Sequence, residues 1–244
     1  MAEPCEYKNP LEFLESKLAE DKSQLFYNWD TLEVITPSVE LIGMAPDGEM
    51  IMRHLEAAIR TAYKSEDKIG PDSHLKILKH ILSLKHESTL EHISLSFRIV
   101  TSRGVTHELV RHRIASYTQE STRYVNYGKK APKVILPFHL ATRDDKDKNF
   151  WYYAQVESIA KYNEALARGW KPQEARGILT NDLKTEIVTT MNLRSLRNFA
   201  SLRTPSSAHP DMQVVAREVL RLLYNLVPLL FQDIQDKVEA VAWV

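Results

Sequence analysis

The sequence predicts one α+β domain. Helical spacing of apolar residues recurs along most of the chain, one stretch alternates with a period of two, and no internal repeat or low-complexity linker divides it. Residues 10–25 carry helical spacing at Leu11, Phe13, Leu14, Leu18 and Leu25. Residues 31–45 are richer in Val and Ile and read as a strand interrupted at Pro37. Residues 50–64 and 73–85 read as helices. Ile93, Leu95, Phe97 and Ile99 then alternate with Ser94, Ser96, Arg98 and Val100, the clearest strand in the chain, apolar on one face. Gly104 breaks that pattern, and residues 105–110 read as a short helix leading into Arg111-His112-Arg113.

Residues 129–150 contain Pro132, Pro137 and a charged run at 143–148, and read as a solvated loop. Residues 150–168 and 172–184 read as helices. Leu193, Leu196, Phe199, Ala200 and Leu202 make one apolar helical face, with Asn192 placed to cap it. From Asp211 onward the spacing predicts a long amphipathic helix, bent or broken near Pro228.

The 244 residues are 43% hydrophobic and 26% charged, enough for one sizeable core or two small ones. Formal net charge is zero, so no global field favours nucleic acid or an acidic membrane, and anion binding must come from local clusters. Cys5 is the single cysteine, between acids near a terminus, which excludes a disulfide framework and a Cys-rich metal site and disfavours a nucleophilic thiol. No basic-then-apolar signal opens the chain, and its longest apolar stretch, 214–231, is interrupted by Arg217, Glu218 and Arg221. The expectation is a cytoplasmic protein with neither nucleic acid nor membrane as partner.

Three segments carry chemistry. The richest runs from Arg111-His112-Arg113 to Ser121-Thr122-Arg123-Tyr124, with cations first, then hydroxyls and a further cation. Guanidinium forks suit phosphate and carbonyl oxygens, so a phosphorylated small molecule fits, as does a plain solvated basic face. The apolar neighbours Leu109, Val110, Ile114 and Ala115 place these cations against packed surface. The second segment is His86-Glu87-Ser88-Thr89-Leu90-Glu91-His92. Its histidines are six apart, which matches no helical zinc pair, while Ser88-Thr89-Leu90-Glu91 has the form of a capping box; capping, core packing and ligand contact all remain open. In the third, Arg194, Asn198 and Ser201 fall on one helical face, with Arg197 and Arg203 nearby. A glycine-rich dinucleotide turn, a P-loop and a Gly-x-Ser-x-Gly elbow are all missing from the sequence.

Arg111-His112-Arg113, seven residues, then Ser121 within Ser121-Thr122-Arg123-Tyr124 resembles the signature of flavin-dependent thymidylate synthases. The upstream His86 to His92 block and the downstream Asn192-x-Arg194-Ser195-Leu196 block, with Asn198 and Arg203, resemble that family's flanking blocks. The resemblance spans roughly 31–231. It implies a catalytic domain over residues 31–244 and leaves residues 1–30, read from their spacing as an N-terminal helical extension, unexplained. The implied fold is a central, mostly antiparallel sheet flanked by helices, assembled as a homotetramer with active sites shared between subunits. It implies dUMP as substrate, 5,10-methylenetetrahydrofolate as carbon donor, FAD as cofactor and NADPH as reductant, with no metal. By the same resemblance, His86, Ser88, Glu91, Arg111, His112, Arg113, Asn192, Arg194 and Asn198 would serve the flavin. Glu108, Arg111, Gln119, Glu120, Ser121, Thr122, Arg123, Arg176 and Arg203 would surround dUMP, with Arg203 catalytic at the uracil ring. Many members have Gln where Glu108 stands and Asn-Glu where Thr118-Gln119 stand. A carboxylate at 108 beside a phosphate is repulsive unless an arginine neutralises it.

Overall fold

A computed structural model of the protein describes residues 9–23, 32–43 and 47–239. In chain order it contains α1 (Pro10–Ser23), β1 (Glu33–Ile35), β2 (Ser38–Ile42), α2 (Gly48–Tyr63), α3 (Ser73–Ser83), β3 (Ser94–Ser102), α4 (Arg103–Leu109), β4 (Ala115–Gln119), β5 (Lys133–Ile135), α5 (Asp145–Ala167), α6 (Pro172–Ala175), β6 (Lys184–Asn192), α7 (Leu193–Arg203), α8 (Pro210–Leu226) and α9 (Pro228–Glu239). A four-stranded sheet has the order β2-β3-β6-β4 and is antiparallel throughout, while β1 and β5 form a separate parallel pair. The expected α+β class with an antiparallel sheet is what the chain adopts.

The alternation in β3 does what its period demands. Leu95, Phe97 and Ile99 are buried under the helices, and Ser94 and Arg98 face outward. The core beneath combines Ile51, Leu55 and Ile59 of α2, Leu78 and Ile81 of α3, Ile187 and Met191 of β6, Leu193, Leu196 and Phe199 of α7, and the inner faces of α8 and α9. Asp47 caps α2 by accepting from the Glu49 amide at 3.3 Å. The next residue is glycine for a steric reason: a Cβ on Gly48 would lie 2.0 Å from the Leu226 carbonyl oxygen, so α2 can start against the end of α8 only without a side chain. Val227 closes α8 and Pro228 opens α9, so the long C-terminal helix breaks where the proline requires.

Several sequence expectations change. The 31–45 strand divides at Thr36-Pro37 into β1 and β2, which join different sheets. The 172–184 helix is limited to α6 and a 3-10 turn at Arg176–Ile178. The chain then enters β6, which pairs with β3 over nine residues. Thr185 and Thr189 are buried alongside Ile187 and Met191, so threonine at inward positions hid the period of two. β4 lies inside the segment valued for its cations.

The 129–150 loop is not uniformly solvated: Val134, Ile135, Leu136, Leu140 and Ala141 are buried, and β5 pairs with β1. Its charged run starts α5, capped by Asp144 accepting from the Asp147 amide at 3.0 Å. The Ser88–Glu91 capping box does not form. Glu87–His92 is a 3-10 helix with no side-chain cap, because no α-helix follows it. Leu202 is 56% exposed, about two and a half turns from Leu193 and so on the opposite side of α7.

A second core joins Phe13, Leu14 and Leu18 of α1 to Leu32, Val34, Val134, Trp151, Tyr152 and Val214. There Lys148 Nζ donates to Asp21 Oδ1 at 2.7 Å, with both residues buried. Leu25 and Cys5 lie outside the described residues. No helix among the described residues is long and apolar enough to cross a membrane.

The buried Asp21–Lys148 pair fastens α1 to α5, and removing one partner strands a charge. Asp21→Ala should lower the unfolding free energy by about 3 kcal/mol in chemical denaturation. A loss below about 1 kcal/mol would mean that Lys148 finds water instead.

Candidate active site

The candidate site is arranged around α7, which follows β6 without a loop. Asn192 Oδ1 accepts from the Ser195 amide at 2.8 Å, capping the helix as expected, and the Leu193 amide donates to the Ile93 carbonyl at 2.9 Å. With Leu193, Leu196, Phe199 and Ala200 buried, Arg194, Asn198 and Ser201 turn the other way. They line an open cleft of about 490 Å³ together with Glu87, Glu91, Arg113, Ile114, Asn192, Ser195 and Arg197.

Arg194 Nη1 meets Glu91 Oε1 at 2.6 Å across the cleft; both side chains are about half exposed, so this pair orients more than it stabilises. Arg197 is buried. Its Nε donates to Glu87 Oε1 at 3.1 Å, its two terminal nitrogens reach the Asp233 carboxylate at 2.8 and 2.9 Å, and Nη1 also donates to the Leu230 carbonyl. Of the lining groups, Arg113, Arg194 and Arg197 outnumber Glu87 and Glu91 by one positive charge. The partial positive charge of the α7 N-terminus adds to it. Arg113 Nη1 is held by the Val110 carbonyl at 2.5 Å and the His112 carbonyl at 3.2 Å. The result is a donor-rich, mildly cationic cleft suited to an oxygen-rich anion.

At the other end of α7, Arg203 is fixed from two sides. Its Nε donates to His112 Nε2 at 2.9 Å and its Nη1 donates to Glu108 Oε2 at 3.1 Å. Glu108 sits on α4, capped by Ser102 accepting from the Val105 amide at 3.3 Å. The Tyr117 hydroxyl lies 2.9 Å from the Leu109 carbonyl and 3.0 Å from that of His112, pinning the turn between α4 and β4. His112 is buried, edge-on to Phe199 with ring centroids 5.0 Å apart. Burial and then the Arg203 guanidinium hold its pKa below the ordinary 6.5. An imidazole nitrogen that accepts from a guanidinium carries no proton, so His112 is neutral and protonated at Nδ1. The arginine that Glu108 required is Arg203.

The remaining predicted nucleotide contacts are dispersed on one chain. Gln119 Nε2 donates to Thr106 Oγ1 at 2.8 Å and approaches Thr185 Oγ1 at 3.3 Å, which makes it part of the sheet's packing. Glu120 accepts from the Tyr127 hydroxyl at 2.9 Å and Lys184 Nζ at 3.2 Å; burial and then Glu120 push the Tyr127 pKa far up. Gln119 and Glu120 line a second cleft of about 540 Å³ with Arg98, Lys130, Lys133, Lys184 and Glu186. Ser121 Oγ accepts from the Arg123 amide at 3.2 Å, Thr122 is buried, and the Arg123 guanidinium sits 5.6 Å from the Tyr124 ring centroid. Arg176 is exposed on its turn. His86, Ser88 and Arg111 are also exposed, and with Arg123 and Arg176 they line neither cleft.

Thus Glu91, Arg113, Asn192, Arg194 and Asn198 converge in one cleft, and Glu108, His112 and Arg203 in one network. The sequence reading assigned no role to Glu87, Ser195 or Arg197. Two acids close together, Glu87 and Glu91, and two arginines close together, Arg194 and Arg197, were the available signal for the two ion pairs. Among the described residues no group of three or more His, Cys, Asp or Glu could hold a metal ion.

Comparison with known proteins identifies the family and the fold. The family profile described as thymidylate synthase complementing protein matches residues 40–229. A flavin-dependent thymidylate synthase of Geobacter sulfurreducens is 34% identical over 203 residues, covering 80% of this chain and 85% of that protein. One from Pyrococcus abyssi is 40% identical over 161 residues, 64% of this chain and 65% of its own. One from Mycobacterium tuberculosis is 36% identical over 200 residues, 74% of this chain and 78% of its own. Among solved structures, a UMP/dUMP methylase, PolB, from Streptomyces cacaoi bound with 5-Br dUMP shares the fold. Its TM-score is 0.69 at 22% identity, over 87% of this chain and all of that one. With the profile spanning most of the chain and a relative 34% identical over 85% of its length, this protein belongs to the flavin-dependent thymidylate synthase family of enzymes.

Proposed function

We propose that the chain methylates C5 of dUMP to give dTMP, with 5,10-methylenetetrahydrofolate as one-carbon donor and FAD, reduced by NADPH, as hydride carrier. The observation that carries this reading is the fixed Arg203 guanidinium at one end of α7, with a donor-rich cleft at the other. The catalytic domain is taken as residues 31–244, with residues 1–30 an N-terminal extension.

The cleft fits FAD by its donor chemistry. Arg113 and Arg194 suit a pyrophosphate, and Asn192, Ser195, Asn198 and Ser201 suit ring carbonyls and ribose hydroxyls. His86, Ser88, Glu91, Arg111 and His112 complete the set that would hold it. When bound, the flavin supplies the hydride that the new methyl group requires. The exposed positions of His86, Ser88, Arg111, Arg123 and Arg176 suit a homotetramer in which neighbouring copies complete each site, with the phosphate of dUMP on Arg123 and Arg176. Ser121, Thr122, Gln119 and Glu120 shape the approach to it. The soluble interior of the cell is the proposed location.

Activation of the ring is electrostatic in this reading. Among the described residues no thiol stands around Arg203, and Cys5 lies outside them. A guanidinium aimed at N3 and its adjacent carbonyl stabilises the ionised ring and increases electron density at C5. Because Arg203 is already ordered, little reorganisation accompanies the chemistry. Neutral His112 is part of that order. A protonated imidazole could not accept from Arg203, so acid breaks the contact from the His112 side.

Arg203→Ala should lower kcat by about 100-fold or more while the oxidised-flavin absorbance of the FAD-loaded protein persists. Near-normal turnover would remove the role. Arg123→Ala should weaken dUMP binding by about 2 kcal/mol by calorimetry, and an unchanged Kd would take it out of the phosphate site. For His112 the sign follows from its lowered pKa. The unfolded chain takes up this proton near pH 6.5 and the folded chain only at lower pH, so stability falls as pH drops through that window. Replacing His112 by Gln should flatten the fall in Tm from pH 7 to pH 5; an unaltered slope would show that this imidazole does not titrate there.

A further inference from the structure

Resting on that reading, we propose that Glu108 is a positioning residue for Arg203 rather than a contact of the nucleotide. Its carboxylate oxygen stands 3.1 Å from Nη1, and His112 takes Nε at 2.9 Å. Anchors on those two nitrogens fix both the tilt and the rotation of a planar guanidinium. They leave Nη2, for which no described residue acts as acceptor, as the corner presented to a ligand. The two anchors are independent in origin: Glu108 projects from α4, and His112 from the turn that follows it, wedged against Phe199 of α7 itself.

Charge and geometry make different demands at this position. The carboxylate cancels part of the guanidinium's field, which by itself would weaken stabilisation of an anionic ring. What it provides in return is a fixed direction. The Glu108 and Arg203 side chains are 35% and 25% exposed, so the pair is neither a loose surface contact nor a buried structural pair of the Arg197 kind. A glutamine could accept the same Nη1 hydrogen without the charge, whereas an aspartate keeps the charge and loses the reach by one methylene. Geometry and charge can therefore be separated by substitution. A misplacement of about 1 Å is enough to cost on the order of 100-fold in rate.

The test is steady-state kinetics on FAD-loaded Glu108→Gln, Glu108→Asp, Glu108→Ala, Arg203→Ala and the Glu108→Ala/Arg203→Ala double variant, with thermal melting and flavin absorbance as folding checks. The proposal expects Glu108→Ala and Glu108→Asp to lose about tenfold or more in kcat with KM for dUMP changed less than about threefold. It expects Glu108→Gln to recover most of that loss, and the double variant to be no slower than Arg203→Ala alone. Should Glu108→Ala melt early, the Asp and Gln pair decides alone. Parental kcat in the Asp variant, or a loss expressed mainly in KM, overturns the positioning role while the functional reading stands. Near-normal turnover of Arg203→Ala overturns both together.

Discussion

The Ser195 amide donating to the Asn192 side chain at 2.8 Å sets where α7 leaves β6, and the placement of the site follows from it. Once that cap and the Leu193–Ile93 backbone bond fix the helix start, its rotation has no freedom. Leu193, Leu196, Phe199 and Ala200 fill the core, and Arg194, Asn198 and Ser201 face the cleft. The eleven residues of α7 then carry the chain about 16 Å to Arg203. Phe199, one turn earlier, supports the imidazole that holds that arginine. A cap, a core stripe and a doubly anchored guanidinium are thus consequences of one strand-to-helix junction.

Ion pairing along the same helix has a consistent form. Arg194, Arg197 and Arg203 meet Glu91, Glu87 and Glu108, acids carried by the 3-10 helix before β3 and by α4 after it. The exposed Arg194–Glu91 pair contributes little to stability, whereas Arg197, buried and shared with Asp233, ties α7 to α9. What the three pairs have in common is order. Each removes rotational freedom from a long cationic side chain, so the site's field is set by the fold before a ligand arrives. Lowering of the His112 pKa by burial and by Arg203 belongs to the same arrangement, since only the neutral ring can accept.

Much of this was legible from residues alone. Asn192 as a cap, the helical face of Arg194, Asn198 and Ser201, the break at Pro228 and the alternation of β3 all follow from local spacing. β6 was not legible because Thr185 and Thr189 occupy its inward positions, and hydroxylated residues mask a hydrophobic period. The capping box at Ser88–Glu91 had the right letters and no helix behind them. Neither could sequence spacing indicate that Glu108 and His112, four residues apart, would both turn toward an arginine more than ninety positions later. That contact depends on α4 and α7 packing against the same sheet. Arg123 and Arg176 illustrate a different limit: their motif is clear, yet one chain leaves them exposed and away from both clefts.

The central claim is that a pre-ordered guanidinium, with no covalent attachment, makes the uracil ring easier to ionise. Ultraviolet difference spectra of dUMP bound to the FAD-loaded protein, recorded across pH, read that ionisation at N3 directly. The bound ring should lose its proton at distinctly lower pH than free dUMP. A bound ring that titrates together with the free nucleotide would contradict the account.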